Sequence, residues 1–280
     1  MTETEVGYGI VGAGRVAQVI ARRLGRSRVP AGMIFSRTPA GAEALASELG
    51  WAVAASSAEV LSGSQLTLLA VPDSELRPLS QELAQALESG SPLSKRVVAH
   101  CAGIQGLGPL APLRELGCSL GVFHPLAPVP DGDPSCLDQT FISIEGDPLA
   151  RPALFDLARL IDCRVLEVEA LDRPLYHAAA VFAGVLPVLL ERVAERLGIA
   201  AGGGDTLAQG LRALHSASAR NVQRLGPELG LSGPQQRQDG ATVSAHLEAL
   251  NRFDPVLAAL YTSIQEAARQ SPADRTGKGG

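Results

Sequence analysis

Between residues 6 and 24 the chain runs from a short apolar stretch through a glycine turn into an amphipathic helix. Val6 to Val11 is apolar, and Val16, Val19, Ile20 and Leu24 recur at helical spacing beyond it. At the junction, Gly12, Gly14 and Ala17 make the pattern G-x-G-x-x-A. Gly12 permits a tight turn, Gly14 lets a diphosphate approach the backbone, and Ala17 lets helix and strand pack closely. The free N–H groups and positive dipole end of such a helix suit an anion. Gly12, Ala13, Gly14, Arg15 and Val16 are therefore the expected dinucleotide contacts.

The end of the second apolar run discriminates between ligands. A carboxylate there would hold ribose hydroxyls, as NAD enzymes and some S-adenosylmethionine-binding methyltransferases require. This chain has Phe35, Ser36, Arg37 and Thr38 instead, and no acid until Glu43. Arg37 can pair with a 2′-phosphate, with Ser36 and Thr38 adding hydroxyls, so NADP is expected over NAD. Two further loops follow strand-like runs, one holding Val71 and Pro72, the other Cys101, Ala102 and Gly103. Both are expected to face the cofactor.

Strand-like and helix-like runs alternate up to about residue 168. Helices are expected at 15–24, 40–49, 75–87, 107–116 and 152–161. Strands are expected at 6–11, 32–35, 66–71, 96–100, 119–123, 140–145 and 164–168. Such alternation implies an α/β, Rossmann-type, mostly parallel sheet. Beyond it the spacing is helical throughout, with Asp172 as a cap and Pro174 in the first turn of a long helix ending at Gly198. Pro187 lies inside that helix and is expected to loosen it near Ala183 and Gly184. The expected division is a dinucleotide-binding domain over 1–168, an all-helical substrate and dimerisation domain over 169–270, and a disordered tail over 271–280.

A length of 280 residues with 46% hydrophobic and 19% charged residues can bury two cores. The net charge of −5 and the absence of any Lys/Arg block exclude a nucleic-acid footprint. Lys95 and Lys278 are the only lysines, which leaves little scope for a lysine base. The four cysteines show neither CxxC nor zinc-ligand spacing. They read as reduced, packed thiols of a cytoplasmic protein, and no metal site is expected. No basic, apolar leader opens the sequence, and no long uncharged apolar window suggests a membrane span.

Histidine is the natural proton carrier near neutral pH. His124 follows a strand and precedes Pro125, and His177 lies in the first turn of the long helix beside Tyr176. These two are the candidate catalytic residues, against the alternative that they are packed structural histidines. Tyr176 and Arg237 are candidate substrate ligands, the latter for a carboxylate. His215 and His246 sit in helical surroundings and read as structural.

The segments GIVGAGRVA, SRT, AVPDSEL, AHCAG, GVFHPL, LYHAAAVFAG and LSGPQQRQDGATVSAHLEAL together resemble a poorly characterised bacterial family. It joins a Rossmann-like NAD(P)-binding domain to a helical C-terminal domain of unassigned function. That family is similar to pyrroline-5-carboxylate reductase, to proteins with the 6-phosphogluconate dehydrogenase type of C-terminal domain, and to deazaflavin-dependent NADP reductase. The chain departs from it at Cys101–Ala102, where members often carry a serine before the glycine. It departs again at Ala183–Gly184, where they often carry asparagine, and at Gln238, where many carry glycine. The resemblance implies an oxidoreductase, with a helical half that usually builds a homodimer, and supplies no reaction; with the Arg37 reading, the expectation is an NADP-dependent oxidoreductase acting on a small carbonyl, imine or hydroxyl compound. The alternatives are a non-catalytic NADP-binding regulatory protein and a deazaflavin-dependent NADP reductase.

Overall fold

A computed structural model describes residues 6–27, 32–87, 93–168, 171–233 and 239–269. The candidate ligand Arg237 and the expected tail 271–280 lie outside them. The strands are β1 (Val6–Val11), β2 (Met33–Phe35), β3 (Ala52–Val53), β4 (Ser64–Leu69), β5 (Val97–His100), β6 (Ser119–Pro125), β7 (Phe141–Gly146) and β8 (Arg164–Glu167). Between them run α1 (Arg15–Arg26), α2 (Pro39–Leu49), α3 (Ser57–Gly63), α4 (Leu76–Ala86), α5 (Ala111–Arg114) and α6 (Ala150–Leu160).

The eight strands form one sheet in the order β3-β2-β1-β4-β5-β6-β7-β8. β1 to β6 are mutually parallel, and β7 runs antiparallel to β6 and parallel to β8. The strand order reverses between β1 and β4, and ligands of open α/β sheets bind at the carboxyl ends of strands flanking such a switch point. Val11 pairs with Leu69 there, so Gly12 and Ala70 open the crevice.

Alternation along the strands divides the core into two layers. Ile10, Leu68 and Ala99 face one layer with α1, α2 and α6, while Val11, Leu69 and Val98 face the other with α3, α4 and α5. Covering both faces accounts for the continuous apolar runs of β4 and β5.

After β8 the chain is helical: α7 (Arg173–Gly184), α8 (Leu186–Ala200), α9 (Gly204–Gly230), α10 (Gly240–Phe253) and α11 (Pro255–Arg269). The anticipated loosening by Pro187 appears as a break at Val185 between α7 and α8. Asp172 caps α7 by accepting from the Leu175 N–H, and Asp239 caps α10 by accepting from the Thr242 N–H. The chain forms two compact units, Met1–Leu189 and Leu190–Gly280. The strands thus end near 168, whereas the first unit continues through α7. Within the second unit, Arg212 pairs with Glu195, and the His215 ring sits 2.9 Å from Glu191.

Three local expectations differ from the structure. Residues 107–116 form a tight 3-10 turn at Gly108–Leu110 and the single-turn α5, because Pro109 and Pro112 interrupt the amide ladder a longer helix needs. β3 and α3 are additional elements, too short to show periodicity. Among the described residues, the stretch Arg173–Ala200 is long and apolar enough to cross a membrane, and none of that window is buried. The break at Val185 and the charges Glu191, Arg192, Glu195 and Arg196 interrupt it.

Candidate active site

The first half of the site is the β1–α1 crossover. Gly12 has φ +119°, a conformation open to glycine, and a Cβ there would strike the Ala70 carbonyl. The turn is tied down on both sides: Gly12 N–H donates to Phe35 O (2.7 Å), and Ala70 N–H donates to Val11 O (2.8 Å). Gly14 is different, because nothing lies within 4 Å of where its Cβ would be. It is also the N-cap of α1 and caps no N–H with a side chain. Open space over an uncapped helix N-terminus fits a diphosphate.

A cleft of about 300 Å³ runs along this turn. Gly12, Ala13, Gly14, Ser36, Arg37, Thr38, Val71 and Pro72 all line it. Arg15 is exposed outside that lining, and Val16 packs against the core behind α1. The cleft also takes residues not singled out beforehand, among them Ser57, Leu79, Glu75 and Glu82. Glu75 matters most, because its carboxylate accepts from Arg37 Nη1 at 3.0 Å across the cleft mouth. The only sequence signal for it was its place in the AVPDSEL segment after β4.

The second half gathers around the ends of β5 and β6. His100 is fully buried, and burial lowers its pKa. The Ala102 N–H donates to its Nδ1 (3.1 Å), which places the ring proton on Nε2, and Nε2–H donates to Gly106 O (3.0 Å). His100 is thus a staple for the loop carrying Cys101, Ala102 and Gly103. Burial pushes the Cys101 thiol up to about 12, so it is no thiolate at neutral pH. Among the described residues these three do not line the dinucleotide cleft. Gly103 lies instead against the two histidines: a Cβ on it would fall 2.7 Å from the His124 ring and 2.8 Å from His177 Cδ2.

His124 Nδ1 and the Tyr176 hydroxyl share a hydrogen bond of 2.9 Å, and the His124 and His177 ring centres are 6.2 Å apart. Burial, reinforced by the charges of His177 and Arg173, pushes His124 down to about 4. The start of α7 is held by the pairing of buried Arg173 with Glu145 of β7, and the guanidinium lies 5.9 Å from the Tyr176 ring. That anchor sets where Tyr176 and His177 point, three and four residues later on the same face. The three side chains border a cavity of about 550 Å³ whose remaining walls are apolar. The sequence-derived candidates His124, His177 and Tyr176 therefore converge.

Residues 1–125 match the Rossmann-like domain, and residues 140–268 match a domain of unknown function, DUF2520. No curated protein matches the chain. Among solved structures it is similar to a protein from Bacteroides fragilis provisionally described as an NADP oxidoreductase. That match has 22% identity and a TM-score of 0.74, over 94% of this chain and 97% of that one. It is similar to a protein from Thermotoga maritima at 23% identity and a TM-score of 0.75, over 94% and 98%. A reductive aminase from Aspergillus terreus, solved with NADPH and ethyl-5-oxohexanoate, aligns at 16% identity and a TM-score of 0.63, over 99% and 96%. At these identities the likeness concerns the fold. The chain is a Rossmann-like domain protein whose second half is a DUF2520 domain.

Proposed function

We propose that this protein is an NADP(H)-dependent oxidoreductase acting on a small carbonyl, imine or hydroxyl compound. The observation that carries the reading is the open space over Gly14 at the uncapped start of α1, with Arg37 across the same cleft. The fold shared with the NADPH-bound reductive aminase supports it. A reduced nicotinamide, when bound, would supply a hydride to the carbon of C=O or C=N, and the oxygen or nitrogen would then need a proton.

The chain's own residues bind, orient and deliver that proton. Gly12, Ala13 and Gly14 receive the diphosphate through backbone and helix N-terminus. Arg37, with Ser36 and Thr38, takes the 2′-phosphate. The Arg37–Glu75 pair is exposed and contributes at most about 1 kcal/mol. A 2′-phosphate, carrying more charge than a carboxylate, displaces Glu75. Near neutral pH His124 is unprotonated and has no proton of its own to spare as an imidazolium. Its ring orients the Tyr176 hydroxyl, which donates to the substrate, and His177 flanks the reacting atoms.

Titration with NADPH and NADH tests the cofactor assignment. Arg37→Ala is expected to weaken NADPH by about 1–3 kcal/mol and to leave NADH nearly unchanged. Equal losses for both nucleotides reject the 2′-phosphate role.

A further inference from the structure

The cavity beside His124 has an uneven chemistry. One end carries His124, Tyr176 and His177, and the walls are hydrocarbon, with Leu126, Pro128 and Val181 representative. Among the described residues that line it there is no Lys, Arg, Asp or Glu. Two groups outside the lining, Arg173 and the N-terminus of α7, each already have an acidic partner. Arg173, one turn before His177, is paired with Glu145 through Nη2, its Nη1 is buried without a hydrogen-bond partner, and the residue does not line the cavity. The N-terminus of α7 is capped by the Asp172 carboxylate through the Leu175 N–H. An anionic group entering this cavity would meet no Lys or Arg among the described lining residues, whereas a neutral oxygen or nitrogen needs only one donor.

We infer that the substrate of this site is an uncharged carbonyl or imine compound with an aliphatic body, and that the site discriminates against carboxylate-bearing analogues. The polar end takes the reacting C=O or C=N, within reach of the Tyr176 hydroxyl. The hydrocarbon body lies along Leu126, Pro128 and the face of α7 that carries Ala180 and Val181. A volume of about 550 Å³ accommodates a ring or chain of small-molecule size. This inference rests on the oxidoreductase reading and narrows its substrate class.

The test is calorimetric titration of the full chain with cyclohexanone and with 4-oxocyclohexanecarboxylate, each with and without NADP⁺. The two probes share a reacting group and a ring and differ by one carboxylate. The ketone is expected to bind at least about tenfold more tightly. Ala180→Arg places a cation in the lining and is expected to narrow or reverse that gap, whereas Ala180→Leu, a size control, keeps it. Equal or tighter binding of the carboxylate by the unaltered protein overturns the inference. So does an unchanged gap in Ala180→Arg. Binding of neither probe also overturns it and leaves the cavity as a seat for a second copy of the chain. Failure of NADP⁺ itself to bind would sink the cofactor reading alone, because the probe preference is still read without nucleotide.

Discussion

Burial makes His124 a group whose charge state couples to folding. Its pKa falls from 6.5 to about 4 in the folded chain. Between those values the unfolded chain binds a proton that the folded chain excludes, so stability rises with pH across that window. Acidification from about pH 6.5 to 4 is therefore expected to remove on the order of 2–3 kcal/mol through this residue. Urea unfolding from pH 7 to 4 checks it: His124→Gln should flatten the slope, and a slope equal to that of the unaltered protein rejects the assignment. His100 shifts in the same direction and remains in both proteins. In the proposed function the neighbouring Tyr176 hydroxyl is the proton donor. Tyr176→Phe keeps the ring and is expected to reduce turnover about 100-fold while NADPH affinity holds. Unchanged single-turnover rates would pass the proton role to another group. His124, His177 and Tyr176 were legible as candidates because histidines after a strand and in a first helical turn are placed for chemistry. Glu75 was not, since its value depends on reaching Arg37 across a cleft that no local pattern encodes.

At the scale of elements, the β1–α1 crossover separates two kinds of glycine. Gly12 is conformational: φ is +119° and a Cβ would collide with Ala70. Gly12→Ala is expected to cost about 1–3 kcal/mol of stability. Gly14 has an extended backbone and open space, so Gly14→Ala should change stability by less than about 1 kcal/mol. Its methyl group occupies the diphosphate's place and should weaken NADPH roughly tenfold or more. Thermal melts and nucleotide titrations of the two variants measure both effects, and equal loss of stability in both would contradict the distinction. Most strands and helices of the α/β half were readable because apolar runs alternate with stretches of helical spacing. β3 spans two residues and α3 seven, too few for a period to emerge. One signal could have revealed α3: Ser56 accepts from the Glu59 N–H at 3.1 Å, and Glu59 accepts from the Ala55 N–H, a near capping box.

At the scale of the whole molecule, the two units differ in how much they bury. The α/β layers enclose two apolar cores. In the second unit, Gly198, Leu257 and Ala258 are the buried residues among those described, while Ile199, Leu214, Leu229 and Val256 are each more than 60% exposed. In α7 and α8 of the first unit, Leu175, Phe182 and Val188 are more than half exposed as well. Apolar surface on this scale calls for a cover, and we propose that a second copy of the chain provides it. Sedimentation is expected to give twice the chain mass at micromolar concentration. A monomer, or a protein that partitions into lipid vesicles instead, would contradict that.

The amino-acid sequence alone determined the doubly wound half, its glycine turn between β1 and α1, its positively charged second-strand end and the break near Pro187. Those features are written in neighbouring residues, through side-chain size, φ preference and periodicity. Tertiary structure alone decided that Gly103 backs the histidines rather than lining the nucleotide cleft. It also decided that Glu75 meets Arg37, that Arg173 pairs with Glu145, and that the cavity beside His124 has no Lys, Arg, Asp or Glu among its described lining residues. Each of these depends on which side chains far apart in the chain share a space and exclude water from it, a quantity that local spacing does not contain.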